Sequence, residues 1–458
     1  MLNRYIGDKA FYRKLLTVMM PVLIQNIITG FVSVLDNVMV GQVGTEPMSG
    51  VAIVNQLIFI FNLSIFGGHA GAGIFTAQFY GKSDPEGIRY TVRAKLYIGF
   101  AAVVTAVFIF IGFGEQLISL FLHEGQENLD LAATLDYGLG YMDVMLFSLL
   151  PFALMQVYSS TLRECGETLI PMKASVTAVL TNLVGNYILI FGKFGAPAMG
   201  VEGAAIATVI ARWVECFIVM FYAHRHHSRF SFVEGLYRSF RIPWALTKQI
   251  IITGSPLLIN ELLWSMGTTI LNQSYSLRGL EVVSALNIAT TVSNLFFCAF
   301  FAMGNTIAII VGQLLGAGEI DRAVDEDRKL IAFSVAVSTL LGIALTLLSS
   351  VIPEIYNTTD TVKAIAAKLL VVNAVFMPLH AYVHGSYFTL RSGGKTVITF
   401  IFDSGFMWVF SVTAAFALSR LTSIPIIPMF AIVEGLSIVK ALFGWVLLRS
   451  RTWANKLV

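Results

Sequence analysis

Runs of about 20 or more mostly apolar residues, the length an α-helix needs to cross a ~30 Å hydrocarbon core, recur about a dozen times along this chain. They lie near 15–40, 49–80, 94–122, 137–162, 169–192, 200–223, 247–276, 282–315, 330–352, 364–390, 397–418 and 426–448. Inside lipid every backbone N–H and C=O has to be satisfied within the protein, which only helices and closed barrels achieve. Runs this long predict helices. The chain therefore reads as an all-α integral membrane protein of about 12 transmembrane helices. Its composition agrees: 56% of the 458 residues are hydrophobic and 12% are charged, against roughly 25% charged in soluble domains. The runs near 49–80 and 282–315 exceed a straight crossing, so they are expected to tilt, kink or project beyond the lipid.

A net charge of +3 gives no basis for nucleic acid as a partner. The 30 Lys and Arg report topology instead. If the first helix starts in the cytoplasm, the outer segments hold only Lys193, Arg278, Lys363, Lys368 and Arg420. Only Arg212 and Lys440 are left inside helices, and the remaining basic residues fall on the inner side. By the positive-inside rule both termini are cytoplasmic and the protein is a multi-pass inner (plasma) membrane protein. The outer connection FLHEGQENLDLAATLD is acidic and lacks Lys and Arg, as that orientation requires. Cys165, Cys216 and Cys298 are an odd set in or beside apolar runs and predict packing rather than disulfides. The basic start MLNRYIGDKAFYRK is followed by no small-residue cleavage site, so removal of a signal peptide is not expected.

One acid stands apart. Asp36 lies deep inside the run Pro21 to Gly44, PVLIQNIITGFVSVLDNVMVGQVG, where insertion of Asp costs about 2.5–3.5 kcal/mol. Two readings offset that cost: an acid that locks helices together through a partner, or a proton or sodium site.

The chain also repeats. A shift of 235 residues aligns Pro21 with Pro256, Gly44 with Gly279, Glu46 with Glu281, Ser49 with Ser284, Gln78 with Gln313, Gly81 with Gly316 and Arg93 with Arg328. A shift of 228 places LRECGET (Leu162 to Thr168) on LRSGGKT (Leu390 to Thr396). Two six-helix bundles are expected, residues 1–223 and 247–458, joined by a cytoplasmic loop at 224–246. An even helix number makes the repeat parallel, about an axis along the membrane normal. Two such bundles rocking about a midplane cavity give alternating access.

Enzymatic motifs do not hold up. GGKT at 393–396 ends like a phosphate loop, but Thr389 stands where that loop needs glycine. HRHH at 224–227 sits in a basic loop without Cys or acid at ligand spacing, so no metal site is expected. No HExxH, GxSxG or Walker sequence occurs. No cofactor is expected beyond a coupling ion, H⁺ or Na⁺, and the chain is not read as an enzyme.

Pro21 followed by LDNVMVGQVG, then GAGIFTAQFYGKSD (71–84), LRECGETLIP (162–171), TNLVGNYILIFG (181–192), GVEGAAIATVIAR (200–212), Pro256, IIVGQLLGAGEIDRA (309–323) and LRSGGKT together resemble the multidrug and toxic compound extrusion family, MATE, of prokaryotic type. The match spans essentially the whole chain. The resemblance implies two lobes forming a V-shaped transporter that exports amphipathic, often cationic, organic compounds by H⁺ or Na⁺ antiport. Its expected partners are small organic substrates and the lipid bilayer, and it is expected to be a monomer. The family's N-lobe ion site, carried over, falls on Asp36, Asn182, Asn186 and Thr208. Asn186 departs from members with a second carboxylate there, which leaves Asp36 the sole strong base and favours protons, with Na⁺ possible at Asp36.

At 1.5 Å rise per residue, Asp36, Asn186 and Thr208 lie five, six and eight residues below the outer ends of their helices. Asn182 lies one turn deeper on the face of Asn186, so the four are expected to converge. The second half has its own charges, Glu261, Asp403, Glu434 and Lys440, and a pair of Lys440 with Asp403 or Glu261 is the economical arrangement. Arg212 and Glu215 are spaced for a local ion pair. A lipid-linked precursor flippase or a membrane-embedded enzyme are the alternatives. The first calls for more cationic residues lining a cavity, the second for a convergent catalytic set.

Overall fold

Helix ends follow local chemistry. Asp8 Oδ1 accepts from Phe11 N at 2.7 Å and opens α1 (Lys9–Gly41), and α2 follows at Thr45–Gly81. Asp84 accepts from Gly87 N at 2.9 Å and, with a proline at the first helical position, starts α3 (Pro85–Ser119). Asp130 accepts from Ala132 N and Ala133 N and starts α4 (Leu131–Glu164). Such side chains satisfy N–H groups that have no partner in the first turn. α5 (Leu169–Phe191) stops at Gly192, whose φ of 65° suits a residue without Cβ, and α6 spans Gly200–Arg225. The computed structural model describes residues 5–122, 130–356 and 358–458, apart from the side chains of residues 33, 34 and 37. Most of the acidic connection after α3 lies outside the described residues.

The second half repeats the series: α7 (Trp244–Ser276), α8 (Leu280–Ala317), α9 (Ile320–Leu348) and α10 (Asp360–Ser392), then α11 (Thr396–Leu421) and α12 (Ile426–Arg449). Among the described residues twelve helices are long and apolar enough to cross a membrane. α1 and α7 are both 33 residues long, with Pro21 and Pro256 at matching positions inside them. α4 and α10 also carry an internal proline each, Pro151 and Pro378. Each proline deletes a helix hydrogen bond and marks a bend. α11 departs from α-geometry over Ile401–Gly405 and Met407–Val412, which are π-helical.

Two compact units result. One comprises Ile24–Thr76 and Asp84–Ile251; the other comprises the chain up to Leu23, Ala77–Ser83 and Ile252–Val458. The first half of α1 and the last turn of α2 therefore belong with the C-terminal helices. Leu15, Met19 and Val22 of α1 are buried in a cluster with Ile307 and Val311 of α8, Leu330 of α9 and Trp453 of the tail. A second cluster of the same unit gathers Tyr275, Ala285, Val292, Leu369, Met377 and Phe430.

Within this unit the repeat becomes physical contact. A Cβ on Gly81 would lie 1.8 Å from the carbonyl oxygen of Gln313, and one on Gly316 would lie 1.9 Å from that of Gln78. The ends of α2 and α8 thus cross through a reciprocal Gly-on-Gln contact that only glycine allows. The C-terminal tail threads the same region. Gln78 Nε2 donates to Ser392 O and Asn455 O at 3.2 Å each, Leu457 N donates to Gln78 Oε1 at 2.7 Å, and Gly393 leaves room for the Trp453 carbonyl.

In the other unit the loop after α6 is held by α3. Arg89 donates to Ser231 O and Phe232 O, and Arg93 donates to Gly235 O at 2.9 Å and to Leu236 O and Arg241 O at 3.1 Å. The three histidines of HRHH contact Tyr158, Tyr222 O and Glu234 respectively.

Two sequence readings need correction. Lys95, counted with the inner loop, is fully buried in α3, where Nζ reaches Glu164 Oε2 at 2.5 Å, Ser160 at 3.0 Å and Thr161 at 3.2 Å. Arg212 and Lys440 are therefore not the only cations inside helices. The reason is the Asp84 cap, which starts α3 at Pro85, ahead of the apolar run that begins near 94. α9 likewise begins at Ile320 rather than near 330, because its polar first turns carry the ion pairs Arg322–Glu326 (3.0 Å) and Lys329–Asp325 (2.6 Å) at i,i+4 spacing.

Candidate functional site

The candidate site of the N-terminal unit forms because α5 and α6 approach closely. A Cβ on Gly203 would lie 2.7 Å from the Leu189 backbone, and one on Gly185 would lie 2.9 Å from the Ala207 side chain. Small residues at such a crossing let backbones near each other, and short polar side chains then reach across. Asn182 and Asn186, one turn apart on α5, are buried, and both face Asp36 of α1.

Asn186 Nδ2 donates to Asp36 Oδ1 at 2.9 Å. The hydrogen-bond network sets the amide of Asn182. With its Nδ2 toward Asp36 it donates to both carboxylate oxygens at 2.9 Å, and its Oδ1 accepts from Thr208 Oγ1 of α6 at 3.0 Å. All four predicted residues are thus brought together.

Donors and acceptors do not balance. The Asp36 carboxylate is served by two neutral amides, and Asn186 Oδ1 is buried with no donor among the described residues. An unpaired buried acceptor costs about 1–3 kcal/mol. A protonated carboxyl, a water or a cation supplies the missing partner. Amide, hydroxyl and carboxylate oxygens also suit a hard cation such as Na⁺. Arg212, the nearest cation the sequence offered on α6, is taken up elsewhere: it lies 3.6 Å from Glu215 and over the Phe152 ring.

The C-terminal unit holds a second polar cluster. Lys440 Nζ of α12 lies 2.7 Å from Asp403 Oδ1 of α11, and Asn260 Nδ2 of α7 donates to Asp403 Oδ2 at 3.0 Å. Glu261 takes no part in that pair; its Oε1 accepts from Tyr387 OH at 3.4 Å. The π-helical stretch of α11 explains part of the geometry. A π-turn shifts backbone groups out of regular pairing, and Ser404 N donates to Asn260 Oδ1 at 3.2 Å while Ser404 Oγ donates to Asn260 O at 2.8 Å. Glu434 pairs with His380, Nε2 to Oε2 at 2.9 Å.

Sequence reasoning missed Asn260 and Tyr387, which link the charged groups, and the Lys95–Glu164 pair. Asn260 and Tyr387 carry no charge to mark them, the adjacency of Asn260 to Glu261 being a signal for the first, and Lys95 lies at the edge of the apolar run near 94–122.

The family model described as MatE matches residues 21–188 and 256–416. Among known proteins, the probable multidrug resistance protein NorM of Thermotoga maritima is 24% identical over 416 residues, covering 89% of this chain and 86% of its own length. Multidrug resistance protein MdtK of Pectobacterium atrosepticum is 27% identical over 371 residues, covering 80% and 78%. Among solved structures, one described as the outward-facing conformation of a multidrug resistance MATE family transporter of the MOP superfamily superposes with a TM-score of 0.86 at 19% identity, covering 98% of this chain and 97% of that one. A mutant of the Vibrio cholerae MATE transporter VcmN superposes with a TM-score of 0.83 at 19% identity, covering 97% and 98%. At these identities the structures speak for the fold.

Proposed function

The chain belongs to the MatE family and is a multi-pass membrane transporter rather than an enzyme, and from that premise we propose that it exports amphipathic, often cationic, organic compounds by cation antiport, with Asp36 as the coupling acid. The names of its relatives supply the substrate class, since NorM and MdtK are called multidrug resistance proteins. One observation carries the role of Asp36: among the described residues its carboxylate meets neutral amide donors alone, beside an acceptor, Asn186 Oδ1, to which none of them donates. A lock between helices would have every polar atom paired. A site that gains and loses a cation leaves one open.

Protons are the coupling ion in this reading. Asn186 stands where a second carboxylate would double the site's charge, and a lone carboxylate with neutral oxygens compensates poorly for the hydration that Na⁺ sheds. A proton needs only the one acid. Transport then alternates between two six-helix lobes, residues 1–223 and 247–458, linked by residues 224–246, in a monomer of the plasma membrane whose termini are cytoplasmic.

The test is efflux of a fluorescent organic cation from proteoliposomes under separately imposed gradients, with ionophores clamping the other ions and the voltage. A pH gradient without sodium is expected to drive efflux in the parent protein and not in Asp36→Asn. Transport driven by sodium alone at fixed pH would remove the proton assignment.

A further inference from the structure

Arg89, Arg93 and Tyr97 follow one another at steps of four residues on one face of α3, and together they hold the segment that joins α6 to α7 by its backbone. Arg89 takes the carbonyls of Ser231 and Phe232, Arg93 takes those of Gly235, Leu236 and Arg241, and Tyr97 OH donates to Phe240 O at 2.9 Å. Tyr237 is fixed as well. Its ring stacks on His224 at the end of α6, with centroids 5.9 Å apart, and its hydroxyl meets that of Tyr158 in α4. Phe230, Phe232, Val233 and Leu236 are buried. The segment is therefore an ordered part of the N-terminal unit, to which it and the first turns of α7 belong.

With those carbonyls taken up by α3, the side chains left facing outward are of two kinds. Arg225, Arg238, Arg241 and Lys248 are exposed, and among the described residues none of their charged groups is paired. Phe240 and Trp244 stand among them, 50% and 74% exposed. Trp244 and Lys248 lie one turn apart at the start of α7. The charge is one-sided: no Asp or Glu occurs between Glu234 and Glu261, and Glu234 is paired with His227 at 2.8 Å. A basic segment that only sets topology needs neither an ordered backbone nor exposed rings. Unpaired cations beside aromatic rings, at the end of a membrane helix, suit the boundary where rings partition at headgroup level and cations meet lipid phosphates.

We propose that Arg225, Arg238, Arg241 and Lys248, with Phe240 and Trp244 as anchors, form a binding surface for anionic phospholipid headgroups of the leaflet that the α6–α7 segment faces. Because α3 already orders the backbone, lipid binding does not have to bear the cost of ordering it. By the orientation proposed above, that leaflet is the inner one. The surface depends neither on Asp36 nor on the identity of the coupling ion.

Trp244 reads the surface directly. The full-length protein is reconstituted in phosphatidylcholine bilayers with phosphatidylglycerol titrated in, and one lipid or the other carries brominated acyl chains that quench nearby tryptophan. The chain has six Trp, and Trp244→Phe measured in parallel isolates the Trp244 signal by difference. Phosphatidylglycerol is expected to be preferred over phosphatidylcholine by about tenfold at low ionic strength, and the preference is expected to shrink as salt is raised. In Arg238→Gln/Arg241→Gln it is expected to fall to about twofold or less. Both side chains are exposed and unpaired among the described residues, so the variant is expected to fold. Lys82→Gln/Lys456→Gln removes two exposed cations of the other unit and is expected to keep the parent preference. A parent protein without preference, a preference that survives in Arg238→Gln/Arg241→Gln, or one lost equally in Lys82→Gln/Lys456→Gln overturns the proposal. So does displacement of phosphatidylglycerol by excess inorganic phosphate at constant ionic strength, which would assign the cations to a soluble anion. Both leaflets of these bilayers carry the same lipids and no transport is measured, so failure of the orientation or of the efflux reading leaves this result unaffected.

Discussion

Asn186 holds Asp36 with one end of its amide: Nδ2 donates to the carboxylate at 2.9 Å, and Oδ1, buried beside it, has no donor among the described residues. Transport coupling requires a group with two states of comparable stability. An acid that neutral amides hold, with no cation beside it among the described residues, fits that requirement better than a saturated ion pair does.

Asp36→Asn keeps the shape and polarity of the side chain and removes the charge change. Gradient-driven efflux is expected to fall to background, while expression and thermal unfolding stay close to the parent. Gradient-driven transport at parent rates by the folded variant would end the central assignment.

Asn186→Asp adds the second carboxylate that this site lacks. Sodium-dependent efflux is expected to appear or strengthen, with apparent Na⁺ affinity rising about tenfold, equivalent to about 1.4 kcal/mol. Apparent affinity from initial efflux rates at stepped sodium and constant pH is the measurement. No change would show that formal charge at residue 186 does not select the ion.

Lys440→Met and Asp403→Asn each leave one member of the α11–α12 ion pair unmatched, at an expected cost of about 3 kcal/mol. The double variant is expected to recover much of that loss, since it removes both charges together. Unfolding midpoints of the four proteins in a double-mutant cycle test this, and simple additivity would mean that the 2.7 Å contact contributes nothing as a pair.

Single cysteines near residues 45 and 125 are expected to react with an impermeant reagent from outside intact cells, and those near 85, 235 and 320 only after permeabilisation. The background lacks Cys165, Cys216 and Cys298, of which the first two are buried. Labelling near 235 from outside would reverse the orientation.

The helices were legible because twenty apolar residues in lipid leave the backbone no other choice. The Asp36 site was legible for a narrower reason: Asp36 stands out as an acid inside an apolar run, the resemblance to the MATE family implies Asn182, Asn186 and Thr208 as its neighbours, and positions counted from helix ends convert to depths that let the four converge. Lys95 shows where this stops. Its helix borders lipid on one side and protein on the other, both apolar, so periodicity does not tell which face meets Glu164 on α4. The start of α9 was lost for the opposite reason, since IDRAVDEDRK is too polar for a membrane run and is kept helical by its own ion pairs. The π-helical stretches of α11 left no mark in the composition at all. They hold the Ser404–Asn260 hydrogen bonds, and through Asn260 the link from Tyr387 to Asp403.

The crossing of α2 and α8 bears on how the two halves of this chain have been free to diverge. Each glycine is pressed against the backbone of the other copy, Gly81 on Gln313 and Gly316 on Gln78, so a side chain gained in one half would collide with the other half rather than with its own. Substitution there is policed from outside the repeat that suffers it, and neither copy is released by the existence of its duplicate. A side chain at either glycine would push α2 and α8 apart, so both positions of the 235-residue register answer to a single crossing.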